Sequence, residues 1–235
     1  MEDMGGGPRT NRGLRRWRRC PERACGVALL TVVAAIVVAW VVTVTHPDAS
    51  YAWTANMVSD LGRVTCVTWD DLWVCSPRHA LFNIVLVASG VIVAGVATVV
   101  RRHWGAPLTV AMLGLGAGLV VLGAIPSDVA RGLHMAGAVL ALPVPGAGLL
   151  VSGMRPDRPW LVPYRRLRAW FGGVCLVVSA GHLLPQHVPF PRGPAEYVGL
   201  LAVMVFVLIE GIRLARTPPV LSKVAPAGRQ TAKRR

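Results

Sequence analysis

The chain has 235 residues, of which 54% are hydrophobic and only 15% charged, with a formal net charge of +14 and a mean hydropathy of +0.53. Soluble domains carry about 25% charged residues, and disordered chains carry few apolar ones, so composition excludes both classes. The five cysteines are scattered, with no CxxC pair, which argues against a disulfide scaffold, a zinc ribbon or a thioredoxin-like site.

In chain order, the first 25 residues form a basic, glycine-rich tail. Six apolar runs follow, over about 26–45, 80–100, 107–125, 134–153, 169–184 and 196–212. A bilayer core needs about 20 apolar residues per helix, and lipid leaves helix as the simplest way to pair the backbone. The expected fold is therefore all-α: a polytopic membrane protein with a six-helix transmembrane domain over 26–213 and a second basic tail over 214–235. With the N-terminus inside, the inner segments hold 21 Lys and Arg and the outer segments hold four, namely Arg63, Arg78, Arg131 and Arg192. The positive-inside rule then places both termini in the cytoplasm of a multi-pass plasma-membrane protein. Trp40, Trp53, Trp73, Trp104, Trp160, Trp170 and Tyr197 are placed in or near the interfaces. The first run also resembles a signal peptide with a small-x-small site at Ser50-Tyr51-Ala52, but its length favours an uncleaved helix.

Both basic tails are expected to touch anionic lipid headgroups, each basic residue contributing on the order of 1 kcal/mol. No binding fold or aromatic interleaving points to nucleic acid, and no protein partner is legible. Arg in place of Lys, with Ala and Val in abundance, suggests a GC-rich bacterial genome. The outer loop, 46–77, is the longest connection, and long loops tend to be functional. Its Cys66 and Cys75 share an oxidising compartment under this topology, so a disulfide is expected, the alternative being two free thiols. In the third run, Gly114, Gly116 and Gly118 read as a packing face rather than a phosphate loop. In the fourth, Pro143 and Pro145 must break the helix, and the break has to face protein or a cavity.

The polar residues that read as functional gather at the outer helix ends. Ser59 and Asp60 lie in the loop, and His79 and Asn83 sit one turn apart on the second helix. Asp128 follows the third, His134 begins the fourth, His182 ends the fifth and Glu196 starts the sixth. Asn83 lies within the membrane, where polar groups usually face a bundle interior. These eight residues are the candidate ligand-binding set, with no catalytic residue assigned. No HExxH, HxH or finger spacing supports a metal, and no cofactor is indicated.

Asn56-Met-Val-Ser59-Asp60-Leu61-Gly62, then Cys75-Ser76-Pro-Arg78-His79-Ala-Leu-Phe82-Asn83, resembles the domain-of-unknown-function 998 family of prokaryotic integral membrane proteins. So do Gly116-x-Gly118-x-x-x-x-Gly123-x-x-Pro126 and His134-x-x-Gly137-Ala138. In that resemblance many relatives carry Glu-Arg where this chain has Glu196-Tyr197, so a Glu/Arg pair role does not carry over. The resemblance covers roughly residues 25–215 and implies a six-helix membrane fold but no reaction. Three functions follow from these observations. The first is binding of a lipid or small molecule, or support of an envelope partner, through the outer pocket. The second is lipid hydrolysis by the outer His and Asp residues, similar in outline to alkaline-ceramidase-like membrane hydrolases, although Ser76-x-x-His79 is one residue short of their Ser-x-x-x-His spacing. The third is transport, for which paired broken helices and internal repeats are not seen.

Overall fold

Long apolar runs pair their backbones internally most cheaply as helix, and the protein is mostly helical. The computed structural model describes residues 21–69, 72–155, 162–183 and 192–216; both basic tails fall largely outside these. The helices are α1 (Pro21–Val44), α2 (His79–Ala124), α3 (Arg131–Ala141), α4 (Pro143–Met154), α5 (Val162–Leu183) and α6 (Arg192–Ala215). Between α1 and α2 lie a short 3-10 helix, Val58–Gly62, and an antiparallel hairpin of β1 (Val67–Trp69) and β2 (Leu72–Val74).

α2 runs for 46 residues, roughly 70 Å if straight at about 1.5 Å per residue. It is not straight. Gly105 breaks it at φ 74° and ψ 169°, a conformation open to glycine alone. Pro107 follows in the first turn of the second half, where a missing N–H costs nothing. The halves fold back on each other. A side chain at Gly90 would lie 2.5 Å from the Gly116 carbonyl, and one at Gly123 would lie 2.5 Å from the Asn83 carbonyl. The expected loop over 101–106 is thus absent: a single glycine makes the turn, so Arg101–Trp104 stay helical.

The expected fourth helix starts earlier, at Arg131, and divides at Leu142 (φ −120°, ψ −67°) ahead of Pro143. α5 also starts earlier than expected, at Val162 rather than Ala169. Its arginines look like loop in the sequence, but Arg168 has a buried partner that lets the helix run through it. The helices pack as a closed ring: α1 on α2, α2 on α3 and α4, α4 on α5, α5 on α6, and α6 on α1. Leu29 and Val32 place α1 in the shared core. Four helical stretches are long and apolar enough to cross a membrane, Glu22–Val44, His79–Ala124, Arg131–Met154 and Gly193–Ala215.

The bundle has two distinct ends. The loop end carries Thr45–Arg78. The arginine end carries Arg101, Arg102, Arg165, Arg166 and Arg216, and beneath them a buried ion cluster. Glu210, 1% exposed, accepts from Arg168 Nη2 at 2.8 Å on Oε1. Its Oε2 accepts from Arg213 at 2.6 and 2.9 Å and from Trp104 Nε1 at 3.1 Å. Arg168 also donates to Ser152 Oγ at 3.2 Å, so α4 joins, through Arg168, the carboxylate at which α2, α5 and α6 meet. Trp104, expected in an interfacial belt, is 4% exposed and lies in the core because its N–H serves Glu210.

Removing one member of such a cluster leaves an uncompensated buried charge, at a cost of about 3–5 kcal/mol. Glu210→Ala should therefore lower the unfolding midpoint of the detergent-solubilised protein sharply. Arg213→Ala, at a more exposed position, should lower it less. Equal midpoints for wild type and Glu210→Ala would remove the cluster from any structural role.

Candidate functional site

The loop end is built from short hydrogen bonds between the loop and the helix ends. The Asp60 carboxylate accepts from Met57 N–H at 2.9 Å and Asn56 Nδ2 at 3.2 Å, and lies 3.6 Å from Arg63 Nη1. Asn56 Oδ1 in turn accepts from Ala52 N–H at 2.6 Å. These bonds shape the Val58–Gly62 turn, whose Val58, Asp60, Leu61 and Gly62 are buried. The turn is then fastened to the start of α2: Ser76 Oγ donates to the Leu61 carbonyl at 2.6 Å, and Asn83 Nδ2 donates to the Gly62 carbonyl at 2.9 Å. Gly62 is required here, since a side chain would lie 2.5 Å from Asn83 Oδ1.

Further out, the Cys66–Cys75 disulfide joins the two ends of the β1–β2 hairpin, and Ser50 pairs with Cys75. Tyr51 and Tyr197 share a hydroxyl–hydroxyl hydrogen bond. Trp40 and Trp53 stack on Tyr197 with ring centroids 5.4 and 6.0 Å away, so aromatic rings clamp the loop to α1 and α6. Burial and that hydroxyl bond push the Tyr51 phenol above its ordinary range.

Under the turn lies a cavity of about 40 Å³. Its floor is apolar, made by Phe82, Leu86, Leu119, Leu122, Leu142 and Leu200. Its polar lining consists of Ser59, Asn83, His134 and Glu196, which come from the turn, α2, α3 and α6. Ala141 and Leu142, at the break between α3 and α4, also line it, so the proline break faces a cavity. A volume of this size holds a water or a small polar group but not a lipid. Asn83 is 8% exposed, and its Oδ1 is buried without a hydrogen-bond partner. His134 uses Nδ1 on the Ile125 carbonyl at 2.7 Å. Glu196 accepts long bonds of 3.5 Å from the Ser59 N–H and hydroxyl.

The eight candidates from the sequence therefore divide. Ser59, Asn83, His134 and Glu196 line one cavity, and Asp60 shapes the turn above it. His79 lies outside the lining, with Nδ1 3.0 Å from the Ser76 carbonyl. Asp128 also lies outside: one of its oxygens accepts from Val64 N–H, Thr65 N–H and Thr65 Oγ at 3.0, 2.9 and 2.8 Å, anchoring the loop. The side chain of His182 lies outside the described residues. Among the described residues, no three His, Cys, Asp or Glu side chains cluster as a metal site requires. Leu142 and the Tyr51–Tyr197 contact were not singled out from the sequence, because apolar lining and phenol pairing leave no spacing signature.

A family model described as protein of unknown function, DUF998, matches residues 30–213, most of the chain. The chain belongs to the DUF998 family. No curated protein and no solved structure matches it. The part of the DUF998 chain matched by the model includes every residue that lines the cavity.

Asp128 gives a test of how the DUF998 loop is held. Partial burial raises its carboxyl, but the Thr65 hydroxyl and backbone donors, with Arg63, outweigh that and bring the net position below the ordinary carboxylate value. A depressed folded-state value means stabilisation that is present above the unfolded value, about 4, and lost as pH falls through the folded one. Asp128→Ala should lower the hydrogen-exchange protection factors of Val64 and Thr65 at neutral pH, and acidification of the wild type should lower their protection relative to the intrinsic rate at each pH. Unchanged exchange in the variant would show that Asp128 does not anchor the loop.

Proposed function

We propose that this DUF998 protein crosses a bacterial plasma membrane six times with both termini in the cytoplasm, and that it binds the head of an amphiphile in the loop-end cavity. The crossing count is supported by the backfolded α2, which supplies two antiparallel rods, and by α5, whose one deeply buried arginine is paired. Orientation is supported by the 21 to 4 division of Lys and Arg. The tails at 1–25 and 214–235 would then lie against anionic headgroups. A reporter fused after Arg235 and one inserted into the 46–77 loop should give opposite signals. The same signal from both would end the six-crossing reading.

The observation that carries the binding reading is the convergence of Ser59, Asn83, His134 and Glu196 on one otherwise apolar cavity. Intramembrane polar side chains are costly, and they persist where they face each other or serve a ligand. The cavity accommodates a small polar head. The leucines of its floor suit an alkyl chain once the Val58–Gly62 turn shifts. A long-chain alcohol or amine carrying a diazirine should label peptides of α2, α3 or α6 saturably in nanodiscs. Asn83→Leu should reduce that labelling about tenfold or more, the scale of a lost hydrogen bond plus a blocked cavity. Non-saturable labelling, equal in wild type and variant, would remove the cavity as a binding site.

A second reading, lipid hydrolysis, draws on Ser59, His134 and Glu196 sharing that lining. It requires the Ser59 hydroxyl to donate to His134. In the structure the hydroxyl reaches Glu196 instead, at 3.5 Å, which favours binding over acyl transfer.

A further inference from the structure

We infer that the head taken up by the loop-end cavity is a primary ammonium; this rests on reading the cavity as an amphiphile site. The polar wall already uses the donors it has. Asn83 Nδ2 donates to the Gly62 carbonyl, which fixes the amide orientation, since a carbonyl can only accept. The Ser59 N–H and hydroxyl are directed at Glu196. His134 Nδ1 faces the Ile125 carbonyl, so Nδ1 carries the proton and Nε2 of the neutral ring is an acceptor.

What the wall offers a ligand is therefore acceptors. Asn83 Oδ1 is buried and unpartnered. His134 Nε2 has no hydrogen-bond partner among the described residues. The Glu196 carboxylate forms no ion pair among the described residues and holds its two Ser59 donors at 3.5 Å. These groups come from α2, α3 and α6, and so approach the cavity from different sides.

An ammonium brings three N–H donors and one positive charge, matching three acceptors and one uncompensated carboxylate. A hydroxyl brings one donor and no charge. A quaternary ammonium brings charge but no donor. A carboxylate or phosphate head would meet only lone pairs. The apolar floor takes the carbon bonded to the amine. Two sources share this chemistry, the headgroup of an aminophospholipid and a free long-chain amine.

The test uses the full chain in phosphatidylcholine nanodiscs and four diazirine probes that share one alkyl chain. Their heads are primary ammonium, hydroxyl, trimethylammonium and carboxylate. The expected result is saturable labelling of α2, α3 or α6 by the ammonium probe, about tenfold weaker for the other heads, as for loss of one charge-assisted bond. Glu196→Gln should weaken labelling by the ammonium probe more than labelling by the hydroxyl probe and so remove the preference between them. Equal saturable labelling by ammonium and trimethylammonium would overturn the ammonium inference and leave amphiphile binding intact. No saturable labelling by any head would overturn the binding reading beneath it. The comparison of heads on the wild-type chain decides the matter even if Glu196→Gln does not assemble. With ammonium labelling established, phosphatidylethanolamine in the nanodiscs separates the sources: competition assigns the lipid headgroup, and undiminished labelling assigns the free amine.

Discussion

One buried carboxylate organises the arginine end of this bundle. In lipid an apolar helix gains little from choosing one apolar neighbour over another, because the tails are as apolar as its own side chains. A charged group removes that degeneracy. Glu210 lies in the core where Arg168, Arg213 and Trp104 reach it together, which ties α2, α5 and α6 to one another. The Gly105 turn follows from the same constraint. It puts Trp104 beside Glu210 and His103 3.0 Å from Glu22 of α1, so a single reversal fixes α2 against α6 and α1. Small residues then let the helices close on that arrangement, as where Gly26 meets the backbone of Ala215 and Gly153 that of Ala169.

The loop end is held by different means. There the partners are backbone carbonyls and N–H groups of an irregular segment, which must be satisfied by nearby side chains because water is scarce beneath it. Asp60, Ser76 and Asn83 supply those bonds to the Val58–Gly62 turn. The disulfide, the Asp128 anchor and the aromatic clamp hold the rest of the loop in place over the bundle. Each fastening acts at a separate point along the loop.

The difference between what was legible in the sequence and what was not follows from the range of each interaction. The apolar runs, the proline break at 143–145 and the polar cluster of Ser59, Asn83, His134 and Glu196 were readable because length, a missing N–H and an intramembrane amide are local properties. The reversal between residues 100 and 107 was readable, but its form was not, because Arg101 and Arg102 suggest a loop and nothing local says that Gly105 alone suffices. Arg168 and Glu210 were missed for a sharper reason. An arginine in a basic segment reads as topogenic, and a glutamate near the end of an apolar run reads as a boundary. Their separation of 42 residues carries no signal of pairing. Asp128 was legible as polar and as close to the loop, but its partners are backbone N–H groups of residues 63 and 64 positions away, which no side-chain pattern reveals.

The two ends solve the problem of buried polarity in opposite ways, and the contrast bears on function. At the arginine end both oxygens of Glu210 are taken by cationic or indole donors at 2.6–3.1 Å, and the charge is neutralised from within the chain. At the loop end Glu196 accepts from the Ser59 N–H and hydroxyl at 3.5 Å, and Asn83 Oδ1 has no hydrogen-bond partner among the described residues. The chain places Arg168 and Arg213 against Glu210, while no arginine is among the described residues that line the cavity at Glu196. A site whose acceptors are left for an outside donor pays a folding penalty that an arginine in the wall would relieve. Under the proposed binding function, the free energy forgone in folding would be recovered when a complementary group binds.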